Sequence, residues 1–204
     1  MVLINSAKIG GTLIKVACES ELDLQAKWLL GVLEQMYQRG VKFDDGTRIQ
    51  IGWSILSLIK QDDGSFMVCE PDFDRNPFED IRNSVDVSLN VIAKQNKFTS
   101  GIGAKQVPIA FQNKVIMAKG VLDESSFYLE RIAPDLEKND SGWYIGKTNL
   151  NEEKDELSAI YAFQLLQLRP ELIDVLTLPE GYMVFVDGLT VSCVTNPNDE
   201  VVFS

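Results

Sequence analysis

The side chains best spaced to do chemistry are carboxylates. Glu70, Asp72 and Asp74 alternate along one short stretch, and Glu152, Glu153, Asp155 and Glu156 crowd into another. Carboxylate pairs can serve as general acid and base or hold a divalent metal. In a chain of 204 residues with 30 acids, close pairs also arise by chance, and no nucleophile signature accompanies these. The chain contains no histidine. Its absence removes Ser-His-Asp and Cys-His catalytic units, His-ligated zinc or haem, and any imidazole titrating near neutral pH.

Two further motifs fail on spacing. Asp72-Phe73-Asp74-Arg75-Asn76-Pro77 begins like a calcium loop, but Pro77 stands where a Gly must turn and Asn83 where a bidentate Glu must close. Gly101-Ile102-Gly103-Ala104-Lys105-Gln106 lacks the Lys-Ser/Thr ending of a phosphate loop and the third Gly of a dinucleotide loop. It reads instead as a connection between domains. Trp53 and Trp143, each after a Gly, and Trp28 on a helical stripe read as core anchors. Cys18, Cys69 and Cys193 are odd in number and far apart, as expected of reduced buried thiols rather than a disulfide scaffold or zinc ribbon. Neither a cofactor nor a metal is expected.

The elements that must position these residues follow from periodicity. Gly11 to Glu19 alternates as a strand. Ser20 then precedes acids and a stripe of Leu24, Trp28, Leu29, Val32, Leu33, Met36 and Tyr37, a helix stopping at Gly40. Asp44-Asp45-Gly46 and Asp62-Asp63-Gly64 mark turns around the runs Arg48 to Lys60 and Ser65 to Glu70, the second turn a hairpin. Ser84 to Phe98 fits strand and helix periods alike; its length and polar end favour a helix. Thr99 to Gly103 reads as a linker. Lys114 to Val121 and Ser126 to Ile132 read as paired strands. Asn151 opens a helix running through Leu157, Ile160, Tyr161, Leu165 and Leu168, broken at Arg169-Pro170. A short helix over 171–176, a strand over 182–186 and a terminal strand over 201–203 complete the reading. The irregular order predicts an α+β fold with mixed or antiparallel sheets in two small subdomains, residues 1–100 and 105–204.

Charge sharpens that division. The formal charge is −11. Residues 1–120 hold 14 Lys/Arg and 14 Asp/Glu, whereas residues 121–204 hold 5 and 16. An acidic surface argues against a nucleic-acid clamp and favours steering a basic partner. The N-terminus predicts no secretory leader, and every apolar run is too short to span a membrane. A cytoplasmic protein is expected.

One segment is more specific. Lys114-Val115-Ile116, then Phe127-Tyr128-Leu129-Glu130-Arg131, then Asn139-Asp140-Ser141-Gly142-Trp143-Tyr144-Ile145-Gly146 follow at short spacing. Together they resemble the immunity-protein family of bacterial polymorphic toxin systems. Its domain, formerly of unknown function, has an Asp-Ser-Gly-Trp hallmark preceded by two strands and followed by Gly and acids. Residues 140–143 match in full. Tyr144 replaces the basic residue usual after the Trp. Lys147 and Thr148 replace the acids usual after the Gly, and an acidic run arrives only at Glu152. The resemblance spans residues 110–190; Gly52-Trp53 and Glu70-Pro71-Asp72-Phe73 resemble regions that precede the domain.

The resemblance implies a non-enzymatic protein that binds and neutralises a cognate toxin. Asp140, Ser141 and Trp143, with Glu152, Glu153, Asp155 and Glu156, are then the partner-binding candidates, although turn chemistry and core filling also explain the motif. The competing readings are a carboxylate-only metal-dependent hydrolase on Glu70, Asp72 and Asp74, and a regulatory or adaptor module.

Overall fold

In the computed structural model, which describes residues 1–148 and 156–204, two glycines set the first turn of the chain. Strands β1 (Val2–Ile9) and β2 (Thr12–Glu19) pair antiparallel at all eight positions. Gly10 and Gly11 between them have φ of +58° and +88°. A two-residue type I′ turn needs positive φ at both positions, where side chains are disfavoured. The sequence reading missed β1, because Val2, Leu3 and Ile4 are all apolar and hide the alternation.

Helix α1 (Asp23–Gln38) follows a 3-10 turn over Ser20–Leu22. Leu22, not Ser20, occupies the N-cap, without a side-chain cap bond. At the other end Val41 N–H donates to Met36 O (3.1 Å) and Gly40 N–H to Tyr37 O (2.9 Å), a Schellman stop. Ala26, Leu29, Leu30 and Leu33 form the buried stripe. Trp28, expected in the core, is 47% exposed. The apolar stripe is wider than the face α1 can bury, so Leu24 and Trp28 fall on the outer side.

The apolar run over 48–60 folds back at Gly52-Trp53 into β3 (Thr47–Ile51) and β4 (Ser54–Lys60), with Ile51 opposite Ser54. Trp53 is fully buried, as expected. The Asp62-Asp63-Gly64 turn leads into β5 (Phe66–Pro71), which pairs antiparallel with β4. Asp63 accepts from Ser65 N–H and from Lys15 Nζ (2.6 Å). The sheet runs β1-β2-β5-β4-β3, β2 and β5 being parallel, and β6 (Ile81–Arg82) pairs with β5.

The ambiguous segment after Ser84 is helix α2 (Asp86–Gly101). Its first turn is capped from a distance. The fully buried Glu70 carboxylate accepts from Ser88 N–H (2.7 Å) and Val87 N–H (3.3 Å), and pairs with Arg82 Nε (2.9 Å). An anion placed there meets orphan donors and the positive end of the helix dipole. Thr99, Ser100 and Gly101, expected in a linker, are the last turn of α2, because Thr99 is buried with its Oγ1 2.9 Å from Thr177 Oγ1. The chain divides into two units, Met1–Ala93 and Lys94–Ser204.

The second unit contains β7 (Lys114–Ala118), β8 (Ser126–Arg131), β9 (Asp140–Lys147), β10 (Leu157–Tyr161), α3 (Leu165–Leu168), β11 (Met183–Asp187), β12 (Thr190–Thr195) and β13 (Val201–Phe203). Its sheet order is β10-β7-β9-β8-β11-β12-β13, with β7–β9 the one parallel pair among them. β7 and β8, expected to pair with each other, flank β9 instead. The helix expected from Asn151 is corrected from Leu157 onward, since Leu157–Tyr161 is a strand on Ala118–Lys114. Leu157 and Tyr161 suit either period, and the open edge of β7 decides for the strand. Helical structure starts at Ala162, and a 3-10 helix spans Pro170–Val175. Residues 149–155 lie outside the described residues. Two mixed or antiparallel sheets with few helices make the fold α+β, as expected.

Glu70→Ala should lower stability by about 3–5 kcal/mol, the usual cost of breaking a buried pair and orphaning its donors. Glu70→Gln should lose less, because its amide oxygen still accepts at α2. Urea midpoints measure both; an unchanged midpoint for Glu70→Ala would refute the cap.

Candidate partner-binding site

The Asp-Ser-Gly-Trp motif opens β9 as a bulge. Lys114 lies opposite Asp140, but the next aligned partners are Ile116 and Tyr144, so β9 holds two extra residues there. Gly142 has φ of +79°, and a Cβ on it would come within 2.1 Å of Ile132 O. No other residue fits that approach. Asp140 Oδ1 accepts from Gly142 N–H (2.8 Å), fixing the turn. Ser141 Oγ donates to Lys114 O (2.6 Å) and accepts from Trp143 N–H (3.2 Å). Asn139, at φ +58°, reaches Gln112 O through its Nδ2 (2.6 Å) and accepts from Asn113 Nδ2 (2.7 Å).

The bulge turns Trp143 into the core, fully buried, where its Nε1 donates to Leu176 O (2.9 Å). Across the strand pair stands Arg131, with its guanidinium 5.6 Å from the Trp143 ring centre. Arg131 Nη1 donates to Leu176 O (3.0 Å) and Leu178 O (2.5 Å). Burial pushes the Arg131 pKa down to about 10, which leaves it charged at neutral pH. Arg169 anchors the other end of the same segment through Gly188 O (2.6 Å), Leu122 O (3.1 Å) and Glu171 (2.5 Å), over the Phe127 ring.

The structure therefore separates the expected site residues. Ser141 and Trp143, expected among the partner contacts, are buried and build the bulge, because their polar atoms are committed to Lys114 and Leu176. Asp140 is half-buried beside them. Glu156 is exposed and pairs with Lys119 Nζ (2.8 Å) at the start of β10. Glu152, Glu153 and Asp155 lie outside the described residues. The sequence reading missed the β8–β9 connection, which carries Leu136, 83% exposed, between Asp135 and the exposed Glu137. A Leu flanked by acids after Pro134 was the available signal.

Two carboxylates of the hydrolase reading, Glu70 and Asp74, meet on the Arg82 guanidinium, which takes the place a metal ion would need. Glu70 is engaged by Arg82 and α2, Asp74 reaches Arg82 Nη1 (3.2 Å), and Asp72 faces Arg75 (3.8 Å). Burial raises the Glu70 pKa, against the lowering pull of Ser88 and Arg82. Among the described residues, no three Cys, Asp or Glu side chains form a group that could hold a metal ion. The second unit also has a cleft of about 490 Å³ lined in part by Phe98, Asp174 and Phe203. Asp174 Oδ1 is buried there with no hydrogen-bond partner among the described residues. Burial raises its pKa, and Lys94 and Lys97 pull it back.

These features define a class: a small mixed-sheet domain with Ser141 and Trp143 buried in a bulged strand and many of its acids exposed. The chain belongs to the Imm33-like domain family, an immunity-protein family whose model matches residues 94–197. No curated protein and no solved structure matches the chain.

Gly142→Ala should cost about 3 kcal/mol from positive φ and the clash with Ile132 O. Trp143→Phe should cost about 2 kcal/mol from lost volume and the lost indole bond. Urea unfolding measures both, and an unperturbed Gly142→Ala would refute the bulge. Asp174 supplies a pH test. Its folded pKa is raised, so its contribution is fully present below the unfolded carboxylate value and is lost as pH rises through the folded one. Asp174→Asn should flatten that limb of melting temperature against pH and raise the melting temperature at neutral pH. An unchanged profile would overturn the assignment.

Proposed function

We propose that this protein is a non-enzymatic immunity protein that binds a toxin protein stoichiometrically and occludes a basic surface on it. The observation that carries the reading is where the charge falls. The whole −11 imbalance lies in residues 121–204, most of which the family match covers. Asp123, Glu124, Glu137, Glu156, Glu180, Asp187, Asp199 and Glu200 are exposed. Such a surface raises the association rate with a basic partner and repels wrong ones. Family membership favours binding over catalysis, and the buried carboxylate of the hydrolase reading already has a structural role in capping α2.

In this reading residues 105–204 form the toxin-binding domain. Asp140 and the acids at 152, 153, 155 and 156 contribute to the contact, while Ser141 and Trp143 hold the strand that presents it. Among the described residues no helix is long and apolar enough to cross a membrane. We place the protein in the cytoplasm of the cell that makes it.

If a gene beside this one encodes a toxin, co-expression with that toxin should keep cells alive, and mixing the two proteins should give an equimolar complex. Cell death with no complex on mixing overturns the immunity reading. Reversing charge at Glu152, Glu153, Asp155 and Glu156 should slow association about tenfold or more at low salt and flatten its salt dependence. An unchanged on-rate would move the interface off that run.

A further inference from the structure

The first unit has an open sheet edge whose chemistry is self-complementary. β1 has a strand neighbour on one side only, β2. The type I′ turn makes Ile9 and Thr12 the closing hydrogen-bonded pair. By the antiparallel alternation, Leu3, Asn5, Ala7 and Ile9 then direct N–H and C=O toward β2, and Val2, Ile4, Ser6 and Lys8 direct theirs outward. Those outward groups have no backbone partner among the described residues. Natural edges are blunted by Pro, by bulges, by shortness or by charged side chains, Lys above all; on β1 that charge is Lys8, near one end of the strand. β1 has no Pro, pairs without a bulge over eight residues, and is longer than the edge strands β3, β10 and β13.

The packing beside this edge is also unfinished. Cys18, Val16 and Ile14 of β2 are fully buried, but their β1 partners Leu3, Asn5 and Ala7 are only half-buried. Asn5 faces α1, where its amide reaches Asp23 and lies 3.9 Å from Cys18 Sγ. On the opposite face Val2 and Ile4 are 71% and 63% exposed.

We infer that a second copy of this chain pairs antiparallel along β1, with the two-fold axis at Asn5, to make one sheet continuous across a dimer. Outward residues must meet outward residues. The register that uses all of Val2 to Lys8 sets Val2 against Lys8 of the second copy and Ile4 against its Ser6. On the α1 face Leu3 meets Ala7, large against small, and Asn5 meets Asn5. A primary amide has two N–H donors and an acceptor oxygen, so with one N–H kept on Asp23 the other can leave the long Cys18 contact and donate to the second copy's Asn5 Oδ1. A polar group in the middle of an apolar row fixes register, since a shift by one pleat repeat would set it against Leu3 or Ala7. Lys8 of the second copy also lies beside Val2, whose β2 partner is the exposed Glu19, so opposite charges share that row. The junction forms about eight backbone hydrogen bonds by the alternation rule.

Sedimentation velocity of the full chain over about 1–100 μM, a range in which mass action reveals a dimer, should show a species of twice 22.8 kDa. Ser6→Pro removes one outward N–H at a position where an edge strand tolerates proline. It should give monomer throughout, with an unchanged circular dichroism spectrum. Asn5→Cys, in a Cys18→Ala, Cys193→Ser background, should oxidise to a covalent dimer. The self-pair is a non-hydrogen-bonded one with Cα atoms about 4.5 Å apart, within disulfide reach. Wild-type monomer across the range overturns the proposal. So does a dimer that survives Ser6→Pro, or an Asn5→Cys protein that does not cross-link.

Discussion

The second unit depends on a buried guanidinium whose hydrogen bonds run to backbone carbonyls. Arg131 spends its charge on the carbonyls of Leu176, Leu178 and, more distantly, Val107 (3.4 Å), with Trp143 beside it. Hydrogen bonds to a charged donor are worth about 1.5–3 kcal/mol each, roughly twice a neutral one. The Leu176 and Leu178 carbonyls follow the end of a 3-10 helix, where a cation is favoured by the dipole and the acceptors would otherwise go unpaired. The charge thus fastens the segment after Pro170 to β8. β9 is fastened to the same Leu176 carbonyl through the Trp143 indole.

This arrangement explains why the motif looks functional in sequence and structural in space. Asp140 needs its carboxylate to hold Gly142, Gly142 needs the absence of a Cβ to clear Ile132 O, and Ser141 needs its hydroxyl to tie β9 to β7. Each residue type is demanded by backbone geometry before any partner is considered. What the scaffold leaves on its surface is acids on loops and strand ends, and the Leu136 turn. Recognition can then vary without disturbing the core, as expected where function sits on loops mounted on a rigid sheet.

Local pattern carried part of this fold into the sequence. The α1 stripe, the Asp62-Asp63-Gly64 hairpin and the helix after Ser84 are short-range signals, and all three are present. Long-range facts decided the rest. Leu157 to Tyr161 satisfies a helical period, yet pairing with β7 makes it a strand. Trp28 fits the apolar stripe, but burial depends on what lies opposite, and nothing in α1 reveals that. The site was half legible. The motif could be recognised and its turn chemistry reasoned out, whereas the pairing of Arg131 with Trp143 joins residues whose types alone announce no contact.

Glu70 and Arg131 show the two units using one device with opposite signs. In the first unit a buried carboxylate gathers the orphan N–H groups that begin α2; in the second a buried guanidinium gathers carbonyls that follow a helical segment. Each satisfies backbone groups that would otherwise cost free energy to bury. Among the described residues the buried charged side chains are Glu70, Arg131 and Arg169, one anion and two cations, so burial removes more positive than negative charge from the surface. The acidic surplus is therefore not consumed by folding. The fold uses buried charge to fix its elements, and surface charge remains available to choose a partner.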